Sequence, residues 1–298
     1  MTDDILATVV IAVHADERAR RAVAALQRQS IGPARLQIIV VENGSALLTD
    51  LAGHPGVEYL HLESPNSAQA RNAGLDRARG MYVLTTDADC IPDTTWVERL
   101  TLAMSSHVAA VAGGSIRKHL PRTWVQRNAI TVVDGQTAPN YLPASPLPYV
   151  AGANAAFDAD LLRSVGGFDA ELRSGNDVDV CWKMQRAGGI LITVPDAVVA
   201  HEDRSTLIAH LGRFRFYARF QVLLFAKHKQ HSTRRLVLDG YPFRRAGRAG
   251  ADLPRALVAL IRRGDLNPAQ QVLLQLAESA GVLAGTVEGA IIYRQPYL

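Results

Sequence analysis

The 298-residue sequence predicts an α/β fold: a mostly parallel sheet flanked by helices, with a helical appendage at its C-terminal end. Three observations predict it. Short, β-branched, continuously apolar runs alternate with helical periodicity from residue 7 to residue 116. The 48% hydrophobic content is enough for one large domain, or one domain plus an appendage. After residue 206 helical patterns appear over 207–229 and 268–293.

Each element has its own warrant. Ala7–Val13 is short and apolar on both faces, as a strand buried in a parallel sheet must be. Residues 16–29 carry helical spacing through Ala19, Val23, Ala24 and Leu26, and Gly32-Pro33 stops them. Leu36–Val41 is a second buried strand, closed by the turn-like Glu42-Asn-Gly-Ser. Val57–Leu62 alternates and reads as a third strand. Residues 67–79 form a helix ending at Gly80, and 81–86 the next strand. A helix over 96–105 and a strand over 108–116 complete the regular part. Residues 136–149 hold Pro139, Pro143, Pro146 and Pro148 and read as a loop of functional length. Short helices follow over 158–164 and 177–187, with a strand over 190–194. Leu207, Leu211, Phe214, Ala218, Val222 and Phe225 mark one stripe of a long basic helix over 207–229. Residues 234–252, rich in Arg and Gly, read as a linker. Residues 268–293 read as a helix pair interrupted by Gly281, Gly285 and Gly289.

Composition excludes several classes. Cys90 and Cys181 are two isolated cysteines, which make neither a disulfide framework nor a zinc site, and fit a reducing compartment. The acidic N-terminus runs straight into a strand and does not read as a signal peptide. No segment reaches the roughly 20 consecutive apolar residues of a membrane span. The net charge of +4 is unevenly placed: residues 204–263 hold 14 Lys/Arg against Asp239 and Asp252. That stretch suits phosphate groups or an anionic lipid surface, or is simply a solvated face. Nucleic acid is not expected, because no recognition motif accompanies the charge.

Ligands of an open parallel sheet bind beyond the carboxyl ends of its strands. Three polar clusters fall there: His14-Ala-Asp, Glu42-Asn-Gly and Asp87-Ala-Asp. Asp87 and Asp89 lie two residues apart at a strand end, so alternation points both carboxylates the same way. Converging anions need a cation between them, and a hard ion such as Mg²⁺ or Mn²⁺ normally brings a phosphorylated substrate. Read alone, the pair could equally cap the helix that follows Pro92-Asp93.

Seven segments in order resemble the family 2 glycosyltransferases. They are Val9-Val-Ile-Ala-Val-His, Val40-Val-Glu-Asn-Gly-Ser, Ala70-Arg-Asn-Ala-Gly, Thr86-Asp-Ala-Asp, Gly152-Ala-Asn-Ala-Ala-Phe, Gly166-Gly-Phe-Asp and Asn176-Asp-Val-Asp-Val-Cys-Trp. The resemblance runs from about residue 7 to residue 220. It implies a GT-A fold with a Rossmann-like sheet, and inverting transfer from a nucleotide diphosphate sugar. It also implies Mn²⁺ or Mg²⁺ on Asp89 and Asp87, with His201 completing the metal or diphosphate site. By the same resemblance Asp177 is the catalytic base and Glu42 takes the place of the usual base-reading Asp. Arg71 clamps nucleotide or phosphate oxygens. Gly152, Ala153 and Asn154 line the donor sugar or acceptor, with Asn154 the polar contact. His14 stands where the family pattern departs; it either meets the base or is a structural histidine. Asn176 replaces the usual Glu.

The expected organisation is a transferase domain over residues 1–229, nucleotide-binding to 116 and acceptor-binding from 117, then a linker and C-terminal helices over 230–298. The Gln-x-x-Arg-Trp motif of processive synthases is absent, which points to transfer of a single sugar. The expected donor is a UDP-sugar, and the acceptor a hydroxyl on a small molecule or lipid-linked glycan. A peripheral contact with the inner membrane face through the basic helix, a cytoplasmic setting and a homodimer all suit the sequence. The rival reading is a catalytically silent GT-A-like subunit that binds nucleotide sugar. A nucleotidyltransferase is disfavoured because Ala15-Asp-Glu-Arg lacks the glycine-rich loop that chemistry uses.

Overall fold

The computed structural model describes residues 5–129, 147–231 and 240–295. They cluster into two compact units, one of residues 5–118 and 147–201, the other of 119–129, 202–231 and 240–295. The strands are β1 (Ala7–Val13), β2 (Leu36–Asn43), β3 (Val57–Leu62), β4 (Tyr82–Asp87), β5 (Cys90–Pro92), β6 (Val111–Lys118), β7 (Asn154–Asp158) and β8 (Leu191–His201). The first unit also holds helices α1 (Ala19–Leu26), α2 (Ser67–Arg77) and α3 (Trp96–His107), then α5 (Ala159–Ser164) and α6 (Asn176–Arg186). The second holds α4 (Trp124–Asn128), α7 (Leu207–His228), α8 (Tyr241–Arg263) and α9 (Asn267–Ile292). None of these helices is long and apolar enough to cross a membrane.

One sheet runs β3-β2-β1-β4-β7-β6-β8-β5. The expected parallel ladder is present through β3, β2, β1 and β4. β7 then inserts antiparallel between β4 and β6, and β5 pairs antiparallel with β8. Neither β5 nor β7 is expected from the sequence. β5 has three residues and ends in proline, and β7 is built from small residues with little strand preference. Apolar residues cover both faces. Val9, Ile11 and Val13 of β1 pack with α1 and α3, while Val10 packs with α2 and α6 on the other side.

Other elements also depart from expectation. α1 begins at Ala19 rather than residue 16, because Asp16 is tied into a turn with Arg18. β8 runs on past Pro195 to His201 through a register shift opposite Gly114 and Ser115. Residues 241–252 belong to helix α8, not to a linker; tertiary packing of Ala249 and Ala256 offsets the cost of Gly247 and Gly250. α9 is one unbroken helix. Its three glycines do not interrupt it, because they are where the α7 backbone approaches. A Cβ at Gly281 would sit 2.7 Å from the Leu211 carbonyl oxygen, and one at Gly289 2.6 Å from that of Arg219. α7 itself commits its arginines within this unit: Arg213 pairs with Asp203 at 3.2 Å, and Arg215 and Arg219 both pair with Glu288 at 2.9 Å. Of the proline-rich loop, residues 136–146 lie outside the described residues, as do 234–239 of the expected linker.

Candidate active site

The site is assembled at the carboxyl ends of β1, β2 and β4, where strand order reverses between β1 and β4. Register places Ala12 beside Asp87 and Val13 beside Glu42. β7 continues the row, with Asn154 opposite Thr86, so Gly152 and Ala153 lie just beyond the end of β4. Two hydroxyls hold that approach: Thr85 Oγ1 donates to the Gly152 carbonyl at 2.6 Å and Thr86 Oγ1 to that of Ala153 at 3.0 Å.

Arg71 is the centre of the arrangement. α2 starts at an Asn66 cap that accepts from the backbone of Ala68 and Gln69. Gly74 lets the helix lie directly on Val10, since a Cβ there would enter the Val10 side chain. Arg71, buried to 8% exposure, donates from Nη2 to Asp87 Oδ1 at 3.2 Å and from Nη1 to Asn176 Oδ1 at 2.6 Å. Its guanidinium lies 5.7 Å from the Phe168 ring centroid. A neutral amide at residue 176 accepts from Arg71 without neutralising it, so the charge stays committed to Asp87. Asn176 Nδ2 in turn donates to the Leu172 carbonyl at 2.9 Å.

Asp177 follows in the first turn of α6. Its Oδ2 accepts from the Gly152 backbone N–H at 2.8 Å and its Oδ1 from that of Val178 at 3.0 Å. A Cβ on Gly152 would meet Arg71 Nη2 at 3.0 Å and Asp177 Cβ at 3.2 Å. Asp87, Arg71, Gly152, Asn176 and Asp177 are therefore one cluster within the first unit.

β4 stops at Asp87, and Ala88-Asp89 forms a turn rather than continuing the strand. The two carboxylates thus have different partners. Burial pushes the Asp87 pKa up; Arg71 opposes that rise and the Asp89 charge adds to it. Asp89 Oδ2 lies 3.6 Å from His201 Nε2 and 3.5 Å from Arg18 Nη2. The antiparallel pairing of β5 with β8 sets His201 opposite Cys90 and so next to Asp89. Both cysteines are buried free thiols, and burial raises their pKa values. Among the described residues no three His, Cys, Asp or Glu side chains form a ready-made metal cage. The two carboxylates nonetheless suit a hard cation that takes much of its shell from water and substrate phosphate.

The remaining expected residues sit differently. Glu42 is fully buried. Its Oε1 accepts from Ser45 Oγ and Leu47 N–H, both at 2.7 Å. Its Oε2 accepts from Tyr59 Oη at 2.7 Å and Leu48 N–H at 3.0 Å. Burial alone would raise its pKa; these four hydrogen bonds outweigh that and hold it below the ordinary carboxylate value. Burial and Glu42 together push the Tyr59 hydroxyl up to about 12. Glu42 thus organises the loop after β2, with two donors on each oxygen filling its acceptor sites. Asn154 has no exposure, accepts from Trp96 Nε1 at 2.7 Å, and donates to the carbonyls of Ser115 and Ala197 at 2.8 and 2.9 Å. It braces β6, β8 and α3 and has no donor left for a ligand. His14 is exposed, its Nδ1 held by the Asn43 carbonyl at 2.7 Å, which leaves Nε2 outward.

Sequence reasoning missed Arg18 and the pairing of Asn72 with Phe168. Asn72 Nδ2 donates to the Phe168 carbonyl and its Oδ1 accepts from the Phe168 N–H, both at 2.8 Å. That exchange is what Gly166-Gly-Phe-Asp serves: Gly167 has φ +63°, and a Cβ there would press on Asn72.

Fold and site together define a protein of the GT-A class. A family model described as glycosyl transferase family 2 matches residues 8–166, and the chain belongs to that family. It is 32% identical over 216 residues to the pre-mycofactocin glycosyltransferase of Mycobacterium tuberculosis (strain H37Rv), over 69% of this chain and 45% of that protein. It is 26% identical over 206 residues to glycosyltransferase AglE of Haloferax volcanii, over 66% of this chain and 67% of that one. The chain thus spans about half the length of the mycobacterial relative. Among solved structures, the mannosyltransferase PcManGT from Pyrobaculum calidifontis in complex with GDP-Man and Mn²⁺ aligns with TM-score 0.60 and 20% identity, over 95% of this chain and 86% of that one. S. aureus TarS aligns with TM-score 0.53 and 14% identity, over 90% and 55%.

Proposed function

We propose that this chain is a metal-dependent inverting glycosyltransferase that moves one sugar from a nucleotide diphosphate sugar to a hydroxyl acceptor. The observation that carries this reading is the Arg71 bridge, which joins the strand-end Asp87 to Asn176 beside Asp177. It supports a donor diphosphate and an acceptor hydroxyl meeting in one cleft.

Asp177 takes the proton of the acceptor hydroxyl. Each of its oxygens accepts one backbone N–H, which fixes the carboxylate and leaves it able to accept another hydrogen bond. The hydroxyl oxygen attacks the anomeric carbon opposite the diphosphate. A new glycosidic bond forms, the bond to the diphosphate breaks, and its electron pair leaves with the nucleotide. Arg71, already at Asp87, stabilises that departing charge. Asp87 and Asp89, with His201 beside them, would hold Mn²⁺ or Mg²⁺, which supplies Lewis-acid stabilisation of the leaving group. In this reading His14, exposed after β1, meets the nucleotide base.

The donor base is the open choice that experiment settles. The expected donor is a UDP-sugar, whereas the neighbouring mannosyltransferase was solved with GDP-Man. Release of nucleotide diphosphate is measured with UDP- and GDP-sugars and a panel of hydroxyl acceptors, small and lipid-linked, with Mn²⁺ or with a chelator. Turnover with Mn²⁺ that stops on chelation and recovers on Mg²⁺ or Mn²⁺ addition is the expected result. Donor binding without release under every condition would favour the silent nucleotide-sugar-binding subunit.

A further inference from the structure

α8 and α9 form a hairpin within the second unit, and part of its outer surface is apolar. α9 carries two acids, and both lie on its packed side. Glu278 is fully buried, 3.0 Å from His210 Nε2 and 2.6 Å from Arg245 Nε. Glu288 is taken by Arg215 and Arg219. The outward stripe is Leu273, Leu276, Leu283, Val287 and Ile291, spaced at helical intervals and without a charge. Ile291 keeps 71% exposure.

α8 has two flanks around a buried seam. Ala249 and Ala256 pack toward α9. On one flank Phe243, Leu257 and Ile261 are exposed, at 66%, 48% and 81%. On the other, Arg244, Arg248, Arg255 and Arg262 are exposed. Arg245, on the arginine side of the seam, reaches Glu278 on the face of α9 that meets α7. The apolar flank of α8 therefore turns away from α7, to the side of the α9 stripe. Exposed apolar side chains scattered singly need no explanation, but a surface continued over two helices does.

The charge distribution chooses the occupant. α8 has six arginines and one acid, Asp252. A second copy of the chain would bring like charges together. An anionic bilayer accepts the apolar flank at its acyl boundary and the arginines among its headgroups. We propose that the outer face of the α8–α9 hairpin docks on an anionic lipid surface, lying in the headgroup region rather than spanning it. The surface differs from that expected of the sequence: it is α8 and α9, not α7, whose arginines are internally paired.

The test is flotation of the full chain with vesicles, without donor or acceptor, so that it stands apart from the transferase reading. Vesicles of phosphatidylcholine alone are compared with vesicles containing phosphatidylglycerol, at low and high salt. Binding to the anionic vesicles that weakens with salt is expected. The double substitution Leu257→Asp with Ile261→Asp should lower the bound fraction about tenfold or more. Arg248→Gln with Arg255→Gln should remove the preference for anionic lipid. Both pairs are exposed, and an unchanged thermal unfolding curve shows that the variants fold. The proposal is overturned by a wild type that stays unbound, or by variants that float as well as wild type. A dimer that the aspartates dissociate, with no vesicle binding, would overturn it in favour of a second copy.

Discussion

At the scale of single residues, the carboxylates of Asp177 and Glu42 separate cleanly. Asp177 is held by backbone N–H groups that an amide oxygen could also satisfy in part. Asp177→Asn should therefore keep the fold and donor binding while losing the proton acceptor. Transfer is expected to fall by roughly 10²- to 10⁴-fold with unchanged nucleotide affinity, read from single-turnover rates and calorimetry. Normal turnover in that variant would refute the assignment. Glu42 leads to a different expectation, about stability. Its folded-state pKa is below the unfolded value, so its contribution is present above the ordinary carboxylate range and is lost as pH falls through the folded value. Glu42→Gln replaces an acceptor by an N–H donor facing donors. A loss of about 1–3 kcal/mol at neutral pH is expected, with a smaller loss on acidification than wild type shows, measured by denaturant unfolding from pH 7 to pH 3.

At the scale of elements, the α7–α9 contact is set by spacing. Gly281, Gly285 and Gly289 recur every four residues, as do Leu211, Arg215 and Arg219 opposite them. A Cβ at Gly285 would meet the Arg215 carbonyl oxygen, which is backbone and cannot rotate away. Gly285→Leu should force the helices apart and cost about 3 kcal/mol or more, seen as a lower unfolding midpoint. An unchanged midpoint would show that the helices do not approach as closely as described. By contrast, Leu283→Gln, on the outer stripe, should move the midpoint little. The strand ends show the same dependence on neighbours. Arg71 reaches Asp87 only because Gly74 seats α2 on β1, and Gly152 is free of a Cβ exactly where Arg71 and Asp177 pass.

At the scale of the whole molecule, ligand binding to the native state alone raises apparent stability by mass action. A nucleotide diphosphate with Mn²⁺ at about 100 times its dissociation constant should add about 2.7 kcal/mol, visible as a rise in the unfolding midpoint. Asp89→Ala should remove the Mn²⁺-dependent part of that rise. If the rise persisted in full, Asp89 would not be a cation ligand.

Much of the first unit was legible in the residues. β1 and β3 have the bounds their apolar patterns predict, because strands buried in a sheet carry period and composition in their own side chains. Asp87 stands out in the sequence by its place at a strand end, and Arg71 and Asp177 by the resemblance to family 2 glycosyltransferases. Other features were not legible. The direction of β7, the extension of β8 past Pro195 and the hydrogen bonds of Asn154 depend on residues far away in the chain, and those of Glu42 on how the following loop and Tyr59 fold over it. A buried asparagine and a ligand-reading one look alike until their neighbours are known. The glycines of α9 read as breaks because propensity counts a helix in isolation, whereas here they admit a second backbone. The sequence by itself thus determined the α/β class, the family and the order of chemical groups along the chain, since these follow from local pattern. Only the tertiary structure decided which of those groups lie in one cluster and which are spent holding loops and strands, because hydrogen bonds and burial are settled by what folds against each side chain.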